Sequence, residues 1–134
     1  MNRTTARENA FLLLFEAASN SEDNLEEIFE RAVEYREIKY DDYVKGVFFG
    51  VGENAELISE TINKNLVGWS RTRVSRVSEA VLRLAIYEML FVEDVPTMVA
   101  INEAVKLSKK YDDEKAYKFV NGVLNAAAES LGKK

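Results

Sequence analysis

The sequence predicts an all-α fold packed as a single compact domain, and three observations carry that expectation. Pro96 is the only proline and glycine occurs six times in 134 residues, too few turn formers for a β-sandwich. Apolar residues recur at three- and four-residue intervals, with no strand candidate of consequence. Hydrophobic residues make up 47% and charged ones 31%, a globular balance. A chain of this length buries roughly two-thirds of its unfolded surface.

The elements follow in order. Thr5 with Glu8 three residues on reads as a capping box, so a first helix is expected from Thr5, with Ala10, Phe11, Leu14 and Ala18 inward, until Ser19-Asn20-Ser21 stops it. A second starts near Asp23 or Asn24 and turns Leu25, Ile28, Phe29 and Ala32 inward and Glu26, Glu27, Glu30 and Glu34 outward. A third, long helix begins at Asp41 or Asp42 and carries the stripe Val44, Val47, Val51, Ala55, Ile58, Ile62. Gly46 and Gly50 lie one turn apart in it, each costing about 1 kcal/mol of helix propensity, which points to close approach of a neighbouring helix backbone.

Gly68-Trp69-Ser70 breaks the pattern, and a short turn holds Arg71 and Arg73. From Ser78 to Val92 the chain is apolar nearly all round, which predicts a helix at the centre of a bundle. Glu93-Asp94-Val95-Pro96 ends it. Two more helices follow, about 98–111 and 113–131, and Gly132 is a natural stop. The total is about seven helices.

Two absences exclude whole classes of chemistry. Without cysteine there is no disulfide, thiolate nucleophile or Cys-ligated zinc; without histidine there is no Ser-His-Asp triad and no imidazole base. Neither GxGxxG nor GxxxxGK[ST] occurs. The pairs Asp41-Asp42 and Asp112-Asp113 stand where helices start, so capping accounts for them better than metal binding. Glu88 and Glu103 lie among apolar residues, where pairing with Arg, Lys or backbone is commoner than a catalytic role. A protein that is not an enzyme and uses no cofactor or metal is expected. No apolar run approaches the ~18 residues of a membrane span and the N-terminus lacks a signal-peptide core, so a cytoplasmic protein is expected.

Charge is unevenly placed. The net charge is −5, and residues 21–42 hold nine acids against three bases, a net of −6, so the remainder sums to +1. Between Trp69 and Phe91 there are four arginines and two acids. Arg76 and Arg83 share a face if the turn before Ser78 is helical, and Arg73 extends it. Lys115 and Lys118 stand beside Tyr117 and Phe119, and Arg3 and Arg7 flank the first cap. Cations beside exposed rings suit single-stranded RNA. Spacing alone favours a plainer reading, in which Glu79 pairs with Arg83 and Phe119 is core.

The runs VLRLAIYEML, VPTMVAINEAVKLSKKY and KFVNGVLN, together with the N-terminal TTARENAFLLLF, resemble the bacterial NusB family of transcription antitermination factors, in order and across 4–131. The resemblance implies a helical fold of two perpendicular packed sub-bundles, without enzymatic activity. It implies a single RNA-binding domain, 1–134, that recognises boxA-type single-stranded RNA of ribosomal RNA leaders. Binding would occur mainly as a heterodimer with the ribosomal protein NusE, in an antitermination complex on RNA polymerase; some members also form homodimers.

Carried onto this chain, the RNA surface would combine Arg3 and Arg7 with Lys115, Tyr117, Lys118, Phe119 and Asn121, Phe119 being the stacking ring. The partner surface would include Phe15, Ser78, Glu79 and Leu82. Two departures stand out. Thr4 and Thr5 replace part of a denser arginine cluster, which implies lower affinity and a shallower salt slope. Ser78 stands where the family commonly has an acid, the nearest acid being Glu79. The alternative is a helical interaction module that binds NusE or itself with little RNA affinity of its own.

Overall fold

A computed structural model describes residues 2–20, 24–35 and 41–133. The described residues form seven α-helices: α1 (Arg3–Ser19), α2 (Leu25–Tyr35), α3 (Asp42–Glu53), α4 (Ala55–Lys64), α5 (Arg76–Phe91), α6 (Thr97–Tyr111) and α7 (Ala116–Ser130), with a 3-10 turn at Arg71–Arg73. No strand occurs among the described residues. Ser21 and Asp23, expected at the boundary between the first two helices, lie outside them.

Helix starts follow side-chain capping. Asn24 accepts the Glu27 amide, and Asp41 accepts that of Val44 and opens α3. In α1 the cap is Asn2 rather than Thr5: the Asn2 side-chain Oδ1 accepts the Thr5 amide at 2.8 Å, so Thr5 already sits in the first turn. Glu8 does not close a capping box but receives the Lys110 ammonium at 2.7 Å. At the far end, Gly132 adopts φ +69°, and the amides of Gly132 and Lys133 reach back to the carbonyls of Glu129 and Ala128, a Schellman closure.

The long third helix is two helices. At Asn54 both the backbone amide and the side-chain amide donate to the Gly50 carbonyl, at 3.0 and 2.8 Å, and the backbone moves to φ −112°, ψ 24°. The side chain adds a second donor to a carbonyl that the helix already uses, and the axis restarts at Ala55. Ala55 is exposed, while Ile58 and Ile62 remain core.

The glycine pair also differs from expectation. A Cβ on Gly50 would lie 2.3–2.5 Å from the Tyr87 ring, so Gly50 makes room for a side chain and not for a helix backbone. Above Gly46 there is open space.

α5 is the central helix, packing against α1, α3, α4, α6 and α7. It buries Ala80, Val81, Leu82, Leu84, Ala85, Ile86 and Met89 around almost its whole circumference. α1, α2 and α3 pack on one another to form one sub-bundle, and α7 joins α4 and α6 in the second, with α5 shared between them. One connected core runs through both, from Phe11 and Phe48 to Ile101 and Leu124. No helix among the described residues is long and apolar enough to cross a membrane.

Candidate nucleic-acid interface

The surface with the clearest binding chemistry is built where the α4–α5 connection meets the start of α7. After α4, the Leu66 carbonyl accepts the Trp69 amide at 2.6 Å, and Gly68 takes φ +77° to close the turn. This sets Trp69 on the surface, 58% exposed. Arg71 holds the turn down: its guanidinium donates to the Ser59 carbonyl, the Asn63 side chain and the Glu79 carboxylate.

The other half is the α6–α7 connection. Asp113 accepts the amides of Lys115 and Ala116 at 2.9 and 3.0 Å and so opens α7. Asp112 instead receives the hydroxyls of Ser75 and Ser78, at 2.5 and 3.1 Å, while Ser75 caps α5 through the Ser78 amide. Asp41 caps α3 as the sequence predicts, whereas Asp113 closes the turn ahead of α7, whose N-cap position is Lys115.

These two halves bring Trp69 onto Phe119, edge to face, with centroids 4.9 Å apart and planes at 63°. A cavity of about 260 Å³ on one side is lined by the two rings with Arg73, Ser78, Asp112 and Lys115. A second of about 530 Å³ is lined by the same rings with Val67, Lys115, Lys118 and Gly122. Phe119 is therefore neither core nor free: one part of its ring packs on the core and the rest forms a wall between two concave surfaces. Tyr117 is half-buried beneath the Lys109 ammonium, 4.6 Å above its ring. Lys115, Lys118 and Asn121 are exposed, and Asn121 accepts the Asn125 side-chain amide.

The N-terminal half of the expected RNA surface is corrected at one residue. Arg3 is exposed, its guanidinium 4.1 Å above the Tyr43 ring and 3.6 Å from Asp94. Arg7 is not exposed. It points into the protein, 3% exposed, and makes three hydrogen bonds of 2.9–3.1 Å to the Glu88 carboxylate, itself 1% exposed. Tyr43 donates its hydroxyl to the same carboxylate, and Glu103 lies 3.6 Å from Arg7. Burial works against the Arg7 charge, yet the Glu88 hydrogen bonds and charge raise its pKa above the ordinary arginine value. Burial and the Glu88 charge push the Tyr43 hydroxyl far up. A phosphate reaching Arg7 would have to break the Glu88 pair.

The partner residues are corrected as well. Leu82 is fully buried and Ser78 nearly so, its hydroxyl spent on Asp112. Both lie on the inward face of α5. Glu79 binds Arg71 and Arg83 internally through one oxygen, and its other oxygen is buried. Of the four, Phe15 alone keeps a partly exposed side chain without an ion pair of this kind, packed against Phe11.

Sequence reasoning missed Trp69, whose signal was a lone tryptophan after a glycine in a basic stretch. It also missed Lys106, Lys109 and Lys110. Lys106 and Lys110 line a cavity of about 270 Å³ with Thr4, Thr5, Arg7, Glu8 and Glu103, where they pair with Glu103 and Glu8, so α6 carries exposed cations from the start of α1 toward Tyr117. Glu8 raises the Lys110 pKa through its hydrogen bond.

A sequence model of the NusB family matches residues 4–129. The transcription antitermination protein NusB of Clostridium botulinum (strain Alaska E43 / Type E3) is 46% identical over 129 residues, covering 93% of this chain and 96% of that protein. Among solved structures, a chain in the crystal structure of a plectonemic RNA supercoil superposes with a TM-score of 0.87 at 36% identity, covering 98% of this chain and 97% of the other. A chain in the crystal structure of antitermination factors NusB and NusE in complex with dsRNA superposes with a TM-score of 0.84 at 35% identity, covering 96% of each. With seven helices in two sub-bundles, and with identity of this extent over nearly its whole length, the chain belongs to the NusB family of transcription antitermination factors.

Proposed function

We propose that this chain, acting in the cytoplasm as one RNA-binding domain over 1–134, binds boxA-type single-stranded RNA of ribosomal RNA leaders together with NusE. In that form it enters the antitermination complex on RNA polymerase. The observation that carries the RNA assignment is the Trp69–Phe119 pair, with concave space on both sides and Arg73, Lys115 and Lys118 around it. Rings of this kind stack splayed bases while cations hold the flanking phosphates. Tyr117, Asn121 and Arg3 extend the same surface, and the lysines of α6 take the place that Arg7 leaves vacant.

Few cations mean few released counterions and weak binding alone. A second protein that adds phosphate contacts and another wall would tighten it. One solved relative holds dsRNA, which makes a duplex the necessary comparison. The test is fluorescence anisotropy of a short boxA-type RNA, a scrambled strand and a duplex, with and without NusE, at two salt concentrations. The expected result is that NusE tightens binding to the boxA strand above both controls. Equal affinity for boxA and scramble under every condition would overturn the RNA assignment and leave the interaction-module reading, in which NusE affinity is independent of RNA.

A further inference from the structure

A large concave surface lies on another part of the molecule and shares no residue with the proposed RNA site. It is a groove of about 820 Å³ between α2, α3 and the last turns of α5. Phe29, Phe49, Tyr87 and Phe91 form its apolar lining, and Phe91 is 42% exposed. Among the described residues its rim carries Glu26, Glu30, Asp42 and Glu53 against one cation, Lys45. We propose that this groove docks a basic amphipathic helix of a partner protein.

Three features select that occupant. The α3 lining residues run from Asp42 to Glu53, and at 1.5 Å per residue they extend about 16 Å, the length of three helical turns. Above Gly46 there is open space in the middle of this stretch, so a fourth helix can approach the α3 backbone closely; none of the described residues makes use of that space. The rim charge then fixes the polarity of the partner: apolar side chains enter between the rings, and lysines or arginines flank them to meet the four carboxylates. Nucleic acid is repelled by the same carboxylates. An isologous contact between two copies of this chain would oppose like rims.

The test titrates the isotope-labelled full chain with a designed peptide of leucine and lysine, about four helical turns long with all leucines on one face. Two control peptides are used, one with glutamate replacing lysine and one of the same composition with the leucines scattered. The expected result is binding of the amphipathic basic peptide alone, with amide shifts centred on Gly46, Gly50, Tyr87 and Phe91. The paired change Glu30→Lys and Glu53→Lys should weaken it by about tenfold or more, and Gly46→Phe, which fills open space, should do the same while the circular dichroism melt persists. Equal binding of the scattered peptide would reduce the effect to diffuse charge attraction and overturn the proposal. So would shifts located elsewhere, or sedimentation showing a dimer of the unmodified chain that Gly46→Phe dissociates, since a second copy would then fill the groove.

Discussion

Arg7 and Glu88 are joined side-on, Nε and Nη2 to both carboxylate oxygens at 2.9–3.1 Å, and neither is more than 3% exposed. The pair fastens α1 to the central helix inside the core. Removing one partner strands the other's charge, which costs about 3–5 kcal/mol. Arg7→Ala should therefore lower the urea midpoint far more than Arg3→Ala, which should change it by less than about 1 kcal/mol. An RNA affinity lost by Arg7→Ala with an unchanged midpoint would contradict this placement.

Tyr43 gives a pH signature of the same cluster. Its hydroxyl pKa is raised in the fold, so the folded state holds that proton more tightly than the unfolded chain does. The associated stability is fully present below the unfolded tyrosine pKa of about 10 and is lost as pH rises beyond it toward the folded value. Thermal melts between neutral pH and strongly alkaline pH should fall steeply only above about pH 10. Tyr43→Phe should lose about 1 kcal/mol at neutral pH and melt with a shallower alkaline decline.

The two glycines of α3 should respond with opposite signs. Gly46→Ala, with open space above it, should stabilise by up to about 1 kcal/mol. Gly50→Ala drives a methyl into the Tyr87 ring and should destabilise by about 1–3 kcal/mol. Paired denaturation curves check both, and Gly50→Ala combined with Tyr87→Ala should recover part of the loss.

At the proposed RNA surface, Phe119→Ala and Trp69→Ala should each weaken boxA binding by about 1–3 kcal/mol. Because the rings touch, the double variant should lose less than the sum. Lys118→Ala should instead weaken all RNAs alike and flatten the salt slope. Anisotropy titrations at several salt concentrations separate the two patterns.

Helix order, the central position of α5 and the capped starts of α2 and α3, narrowed to Asp23 or Asn24 and to Asp41 or Asp42, were legible because each rests on local chemistry that the fold leaves intact. The break at Asn54 was not legible: Gly52, two residues earlier, was its one mark, and the apolar period of Val51, Ile58 and Ile62 runs on across it. Arg7 was misplaced for a different reason. An arginine is ordinarily at the surface, and its burial depends on Glu88, 81 residues away. The solitary glutamate in the apolar run 80–92 was the clue to a buried cation, but nothing local named which one. Ser78 and Leu82 were misassigned because the face of α5 that looks outward depends on where α1 and α6 lie, a tertiary fact. Trp69 was passed over as a turn residue, since its partner Phe119 is 50 positions further on.

Asp112 has a consequence for the RNA surface although it carries the wrong charge to bind phosphate. Its carboxylate accepts hydrogen bonds from the Ser75 and Ser78 hydroxyls at the start of α5, so the chain leading into α7 is riveted to the chain leading out of the Trp69 turn. The contact between the two rings is thereby backed by a third residue that belongs to neither ring. A molecule arranged this way meets its ligand with the concave surface already formed, and less ordering entropy is left to be lost on binding.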